Sequence, residues 1–358
     1  MATAVAPLAA EYAVPNNVPN EAPGMVPPTH ARAVVFDAPG ALALRALALA
    51  APTDADVVVD VEWSGVSAGT ERLFWRGTMP PFPGMGYPLV PGYETVGRVR
   101  WAGAASGRAV GERVFVPGAH GFQGARNLFG GAGETLVVPG ARTHAVGDAS
   151  SHQLAGEEGV LLALAATAMH AVRDGERPGA PLPDLIVGHG ALGRLAARLV
   201  LALGGPPPTV WELDEQRAGG AEGYAVVHPD TDARRDYRRA MDASGAVGIL
   251  DTLVGRLAPG GEIVLAGFYT APLAFAFIPA FLRGIRLRVA AEFRPADLAD
   301  ARDLVLGGRL SLAGVVTHRA RIADGEAAIA AAYATAFDDP SCVKMVLDWS
   351  PRNWRTEA

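Results

Sequence analysis

From Ala31 onward the apolar residues fall in short runs, each cut by glycine or proline: "RAVVF", "DVVVDVEWSG", "VGRVRW", "GERVFVPG" and "ETLVVPG". Runs of this length with period-two alternation predict strands of an all-β or partly open barrel unit. Near Glu157 the texture changes. "GEEGVLLALAATAMHAV" has helical period, and "PDLIVGHGALGRLAARLVLALGG" reads as strand, glycine turn and helix. The alternation continues through "TVWELD", "AVVHP", "AMDASG", a helix over 246–257 and "PGGEIVLAGFY". That rhythm predicts a doubly wound parallel sheet. After about residue 290 the pattern is helix, strand, helix, strand, ending in "CVKMVLDW". "LAFAF" (273–277), inside a long uncharged stretch, alternates phenylalanine with alanine and is expected to be a buried or subunit-pairing strand. Gly267, Pro272 and Pro279 interrupt that stretch, so no transmembrane segment is expected there.

Composition narrows the classes. A chain of 358 residues predicts two domains, and 50% hydrophobic against 19% charged residues supplies a core. Net charge of -6 gives no footprint for nucleic acid. The one cysteine, Cys342, has no partner for a disulfide and no Cys-x-x-Cys pair is present for structural zinc, which fits the cytoplasm. Residues 1–29, rich in alanine, proline and asparagine, read as a disordered or loosely attached leader without the basic start of a signal peptide.

Gly188, Gly190 and Gly193 form Gly-x-Gly-x-x-Gly between an apolar strand and a helix. Such glycines permit a tight turn and bring backbone N–H groups to a pyrophosphate at the helix start. Glu212 ends the next strand about two dozen residues on, where an acid would bind ribose hydroxyls and repel a 2′-phosphate, favouring NAD. Asp214 competes for that role, and Arg217 leaves the choice of dinucleotide open. His189 is expected to face solvent in the turn.

With this turn behind a β-rich unit, residues 31–350 resemble the medium-chain dehydrogenase/reductase superfamily. "PGYETVGRV…GERV" matches its signature segment and "SGVSAGTE" (64–71) the loop of its first zinc ligand. The resemblance implies an α/β architecture: a GroES-like catalytic domain over 30–158 and 291–358, and a Rossmann domain over 159–290. It also implies that Thr167 lies beside the nicotinamide, that Lys344 lies near the pyrophosphate, and that the "LAFAF" strand lies where related enzymes pair their Rossmann domains, in keeping with a homodimer. Longer stretches, "SGVSAGTERLFWRGTMPPFPGMGYPLVPGYETVGRV", "LLALAATAMHA" and "AYATAFDDPSCVKMVLDW", are similar to a narrower family, the dehydrogenases of bacteriochlorophyll biosynthesis. That likeness implies a bacteriochlorophyllide substrate and NAD-dependent oxidation of its 3-(1-hydroxyethyl) group to 3-acetyl.

The departures bear on mechanism. Where the superfamily binds catalytic zinc through Cys, His and Cys, this chain has Ser67, Tyr93 and Ala163, so no metal is expected. A side chain must then take the hydroxyl proton. Tyr93 is placed to hydrogen-bond the substrate oxygen, Glu94 to tune it, Ser67 and Thr70 to carry the proton outward, and His170 to accept it. Each has a structural alternative: Tyr93 filling the zinc cavity, Glu94 holding the scaffold, Ser67 and Thr70 satisfying a tight loop, His170 buried and hydrogen-bonded. Phe74, Trp75, Met79, Phe82 and Tyr87 form an aromatic, proline-rich stretch fit for one wall of a macrocycle site, or a loop packed on the barrel. Two other functions stay open: a zinc-free quinone or enone reductase, and a carrier that binds NAD and tetrapyrrole without turnover.

Overall fold

The computed structural model describes residues 27–350 apart from 82–83, 128, 148–153, 155, 174–176 and 178. Phe82 and most of the expected leader lie outside the described residues. The chain opens with the antiparallel pair β1 (His30–Ala38) and β2 (Ala41–Ala48), then β3 (Asp56–Val66) and the short helix α1 (Thr70–Trp75). β4 (Thr95–Ala102), β5 (Arg113–Val116), β6 (Thr135–Pro139) and β7 (His144–Ala145) follow. Each of the five β-like runs of the expected barrel unit forms a strand. In β3, Val57, Val58, Val59 and Val61 enter the core, while Asp60 and Glu62 pair across the strands with Arg100 and Arg98 at 2.7 and 3.0 Å.

A 3₁₀ turn, Glu157–Leu161, leads into α2 (Leu162–Val172). Then come β8 (Leu185–Val187), α3 (Ala191–Ala202), β9 (Thr209–Trp211), α4 (Glu215–Ala218), β10 (Ala225–Val227), β11 (Tyr237–Asp242), α5 (Ile249–Arg256), β12 (Leu257–Leu265), α6 (Phe277–Arg283) and β13 (Arg286–Val289). The chain closes with α7 (Pro295–Leu306), β14 (His318–Arg321), α8 (Glu326–Asp338) and β15 (Met345–Asp348).

Six parallel strands form one sheet in the order β10-β9-β8-β11-β12-β13. The order reverses between β8 and β11, so the ligand crevice lies beyond their carboxyl ends. A second sheet runs β14-β15-β3-β4-β5-β7, with β6 also on β3. β15 pairs antiparallel with β3, Met345 opposite Val66, so the chain's last strand returns to the end of β3, beside Ser67. Between the sheets α2 packs on α3 and α7. Its buried alanines Ala163, Ala165, Ala166 and Ala168 share one apolar cluster with Val96 and Phe115 of the barrel and Ile186 and Val264 of the parallel sheet. Small side chains let the layers approach closely.

"LAFAF" is not a strand. Residues 272–276 are irregular and Phe277 starts α6, where Pro279 is tolerated because first-turn amides have no helical partner. An alternating run needs a neighbouring strand, and here the parallel sheet ends at β13. Phe277, Ile278, Phe281 and Leu282 are instead each at least 67% exposed.

Candidate active site

The dinucleotide turn follows from β8, whose Leu185, Ile186 and Val187 are buried. Gly188 has φ +94, a left-handed conformation suited to glycine, and its amide donates to the Trp211 carbonyl at 2.8 Å. A Cβ on Gly193 would overlap the Gly188 carbonyl oxygen, whereas one on Gly190 would meet nothing within 4 Å. The turn is thus closed beneath and open above, which fits a pyrophosphate at the start of α3.

Glu212 addresses this turn. One carboxylate oxygen accepts from the His189 amide at 2.8 Å, and the other from the Leu213 and Asp214 amides at 2.8 and 3.0 Å. Asp214 is otherwise engaged, capping α4 through the Gln216 amide at 2.9 Å. Arg217 donates to the Pro340 carbonyl at 2.7 Å. His189 corrects an expectation: it is fully buried rather than solvent-facing. Its Nδ1 lies 2.6 Å from the Arg217 carbonyl and its Nε2 2.8 Å from the Tyr224 hydroxyl. The Nδ1 partner is an acceptor, so the neutral Nδ1–H tautomer fits, and burial lowers the imidazole pKa in support.

On the barrel side, β3 ends at Val66 and Ser67 begins a turn into α1, its carbonyl accepting from the Glu71 amide at 3.0 Å. The Ser67 hydroxyl lies 2.6 Å from that of Tyr93, which lies 3.5 Å from the Thr70 hydroxyl. Tyr93 is held by its ring against Phe129, centroids 5.1 Å apart. Burial, and then the negative charge of Glu94, push the Tyr93 phenol above its ordinary pKa, so it works as a protonated hydroxyl and not a phenolate.

Glu94 and Lys344 form a buried ion pair. A Cβ at Gly65 would overlap the Glu94 carboxylate, so that glycine makes room for the pair. The geometry places Glu94 as a clamp between the start of β4 and β15, and Lys344 has its ammonium on that carboxylate. Glu71 was absent from the expected site. It is 1% exposed, and no donor completes a hydrogen bond to either carboxyl oxygen.

The α2 residues are placed as follows. Ala163 is buried and offers no metal donor, and Thr167 donates to the Ala163 carbonyl at 2.9 Å. With an alanine, a serine and a tyrosine at the three positions, the donor set does not fit zinc. Among the described residues no three His, Cys, Asp or Glu side chains converge as a metal site. His170 Nδ1 lies 2.9 Å from Asp297, an acid that also accepts from the Arg294 amide at 2.8 Å at the start of α7. That pairing matches the hydrogen-bonded alternative for His170, whose side chain is partly rather than fully buried.

In the aromatic stretch, Phe74 is 3% exposed within the barrel core and is corrected from ligand wall to packing. Its burial contributes about 1.5–3 kcal/mol. Trp75 packs on Phe36 and Phe337 and Met79 on the same core, both half-buried, and the Tyr87 hydroxyl donates to the Phe74 carbonyl. Phe82 lies outside the described residues.

The chain matches the alcohol dehydrogenase GroES-like domain over residues 53–148. It is 54% identical to the 2-desacetyl-2-hydroxyethyl bacteriochlorophyllide A dehydrogenase of Rhodobacter capsulatus, over 88% of this chain and 97% of that one. It is 52% identical to the protein of the same name in Cereibacter sphaeroides, over 88% and 98%. Its fold is similar to that of an Escherichia coli alcohol dehydrogenase solved with NADH, with a TM-score of 0.75 at 19% identity, over 90% of this chain and 100% of that one. The chain therefore belongs to the bacteriochlorophyllide a dehydrogenase family of the medium-chain dehydrogenase/reductase superfamily.

Proposed function

We propose that the chain oxidises the 3-(1-hydroxyethyl) group of a bacteriochlorophyllide to 3-acetyl with NAD as acceptor. The observation that carries the substrate is the 54% identity extending over 97% of a relative named for that pigment. Three features support the chemistry. The glycine turn is open above Gly190 for a dinucleotide, and Glu212 beside it disfavours a 2′-phosphate. The bound dinucleotide supplies the hydride acceptor, with Thr167 proposed beside its nicotinamide and Lys344 acting behind Glu94. The Ser67–Tyr93–Thr70 hydroxyls stand where the superfamily holds zinc, and we infer that they receive the substrate oxygen without metal. The carbinol carbon is attached to a conjugated macrocycle that spreads charge developing as hydride leaves, which lessens the need for a Lewis acid. Trp75, Met79 and Tyr87 are the described residues proposed to flank the macrocycle.

The exposed face of α6, with the Phe277 and Phe281 rings stacked 5.6 Å apart beside the edge strand β13, is proposed to pair with a second copy in a homodimer. No described helix is long and apolar enough to cross a membrane. The lone, buried Cys342 accords with a reducing cytoplasm. The test is to mix purified protein, NAD and 3-hydroxyethyl bacteriochlorophyllide. The red pigment band should shift as NADH forms in equal amount. Binding of both without either change would make the chain a carrier, and reduction of an enone with NADPH would make it a reductase.

A further inference from the structure

Arg72 lies in the short helix α1, two residues after Thr70 of the hydroxyl group. A helix of this length rises only about 9 Å, so the Thr70 end and Arg72 lie within the span of one tetrapyrrole. Arg72, Trp75 and Arg76 stand at i, i+3 and i+4, on the side of α1 turned away from buried Phe74. That side meets the segment at the end of α8. Trp75 packs on Phe337 with ring centroids 6.2 Å apart, and Arg76 pairs with Asp338 at 2.6 Å. From the parallel-sheet side, Arg217 of α4 reaches the Pro340 carbonyl at 2.7 Å. Three guanidiniums therefore gather where α1 and α4 approach the same short segment.

Arg72 is the one of the three without a partner. It is half-buried, and no described residue gives it a hydrogen bond or an ion pair. The nearby carboxylates are engaged, Asp338 by Arg76 and Asp339 by the Ser341 amide and hydroxyl at 2.8 and 2.7 Å. Burial first, then the positive charges of Arg76 and Arg217, work against the charge on Arg72, with Asp338 opposing. An arginine stays protonated all the same, so a half-buried one beside like charges favours the arrival of an anion.

We propose that Arg72 anchors the free carboxylate of the pigment while the carbinol lies at the Ser67, Thr70 and Tyr93 hydroxyls. The inference rests on the substrate reading given above. A chlorophyllide carries its propionate unesterified at the edge of a flat apolar macrocycle. A guanidinium takes such a carboxylate through two parallel N–H donors. Trp75, three positions on, offers the ring an aromatic wall beside that contact. The pairing fixes which edge of the macrocycle enters, and hence which substituent meets the hydroxyls. It also selects the free acid over its ester, which has no charge to offer. The dinucleotide's diphosphate has a seat of its own on the glycine turn at the start of α3.

The test titrates 3-hydroxyethyl bacteriochlorophyllide and its methyl ester into wild type, Arg72→Gln and Arg72→Lys, reading pigment fluorescence. The Kd for NAD and turnover are measured on the same samples. Wild type should bind the acid at least about tenfold tighter than the ester. Arg72→Gln should bind the two alike and raise KM for the acid with little change in its kcat or in the Kd for NAD. Arg72→Lys should regain part of the preference. Equal binding of acid and ester by wild type overturns the proposal without any variant, so a misfolded variant does not shield it. Arg72→Gln that weakens NAD and keeps the preference for the acid assigns Arg72 to the cofactor diphosphate, and likewise overturns it. Wild type with an Arg72-dependent preference for the acid that leaves the pigment unoxidised upholds the anchor and overturns the oxidation reading.

Discussion

The Tyr93 hydroxyl lies 2.6 Å from that of Ser67, so two residues proposed to stand where the superfamily binds zinc are bonded to each other. A residue that merely filled the vacated volume would need no such hydroxyl. Tyr93→Phe keeps the ring on Phe129 and removes only the oxygen. Turnover should fall about 100-fold while the Kd for NAD and the thermal midpoint stay put. Unchanged turnover reduces Tyr93 to packing.

Glu212 holds three backbone amides, including that of His189 in the glycine turn. Bonds to a charged acceptor contribute roughly 1.5–3 kcal/mol each. Glu212→Gln should weaken NAD at least about tenfold and shrink the preference for NAD over NADP, measured by fluorescence titration of both. An unaltered preference removes Glu212 from cofactor selection.

Removing one partner of the Glu94–Lys344 pair leaves a buried charge alone. Lys344→Met or Glu94→Gln should each cost about 3–5 kcal/mol in denaturant unfolding. The double variant should recover much of that loss. Additive losses would show that the two are not coupled.

His144 gives a pH signature. Burial, and then the positive charge of Arg108, lower its pKa from 6.5 to about 4. Between those values the unfolded chain binds a proton that the folded chain refuses, so this contribution is present above pH 6.5 and lost as pH falls toward 4. Thermal midpoints of His144→Gln should therefore fall less steeply than wild type over that window. Parallel curves refute the assignment.

The glycine turn and the barrel strands were legible because their signals are local: period two, a glycine spacing, an acid at a strand end. What escaped the sequence depends on distant partners. His189 is buried because Arg217 and Tyr224 close over its ring, and His170 is tied to Asp297 across 127 positions. Glu71 looks like an ordinary polar residue of α1 until β15 and α8 bring Lys344 and Tyr333 to it. "LAFAF" shows the reverse failure, a correct period without a strand to pair with. Phe74 stands among aromatic neighbours that resemble a ligand wall, but its side chain points into the barrel core.

Hydroxyls at Ser67, Thr70 and Tyr93 are proposed to replace a metal in oxidising the pigment. The most direct measurement is turnover of 3-hydroxyethyl bacteriochlorophyllide with NAD by protein treated exhaustively with a strong zinc chelator. Turnover equal to that of untreated protein is the expected result. Loss of turnover that added zinc restores would contradict it.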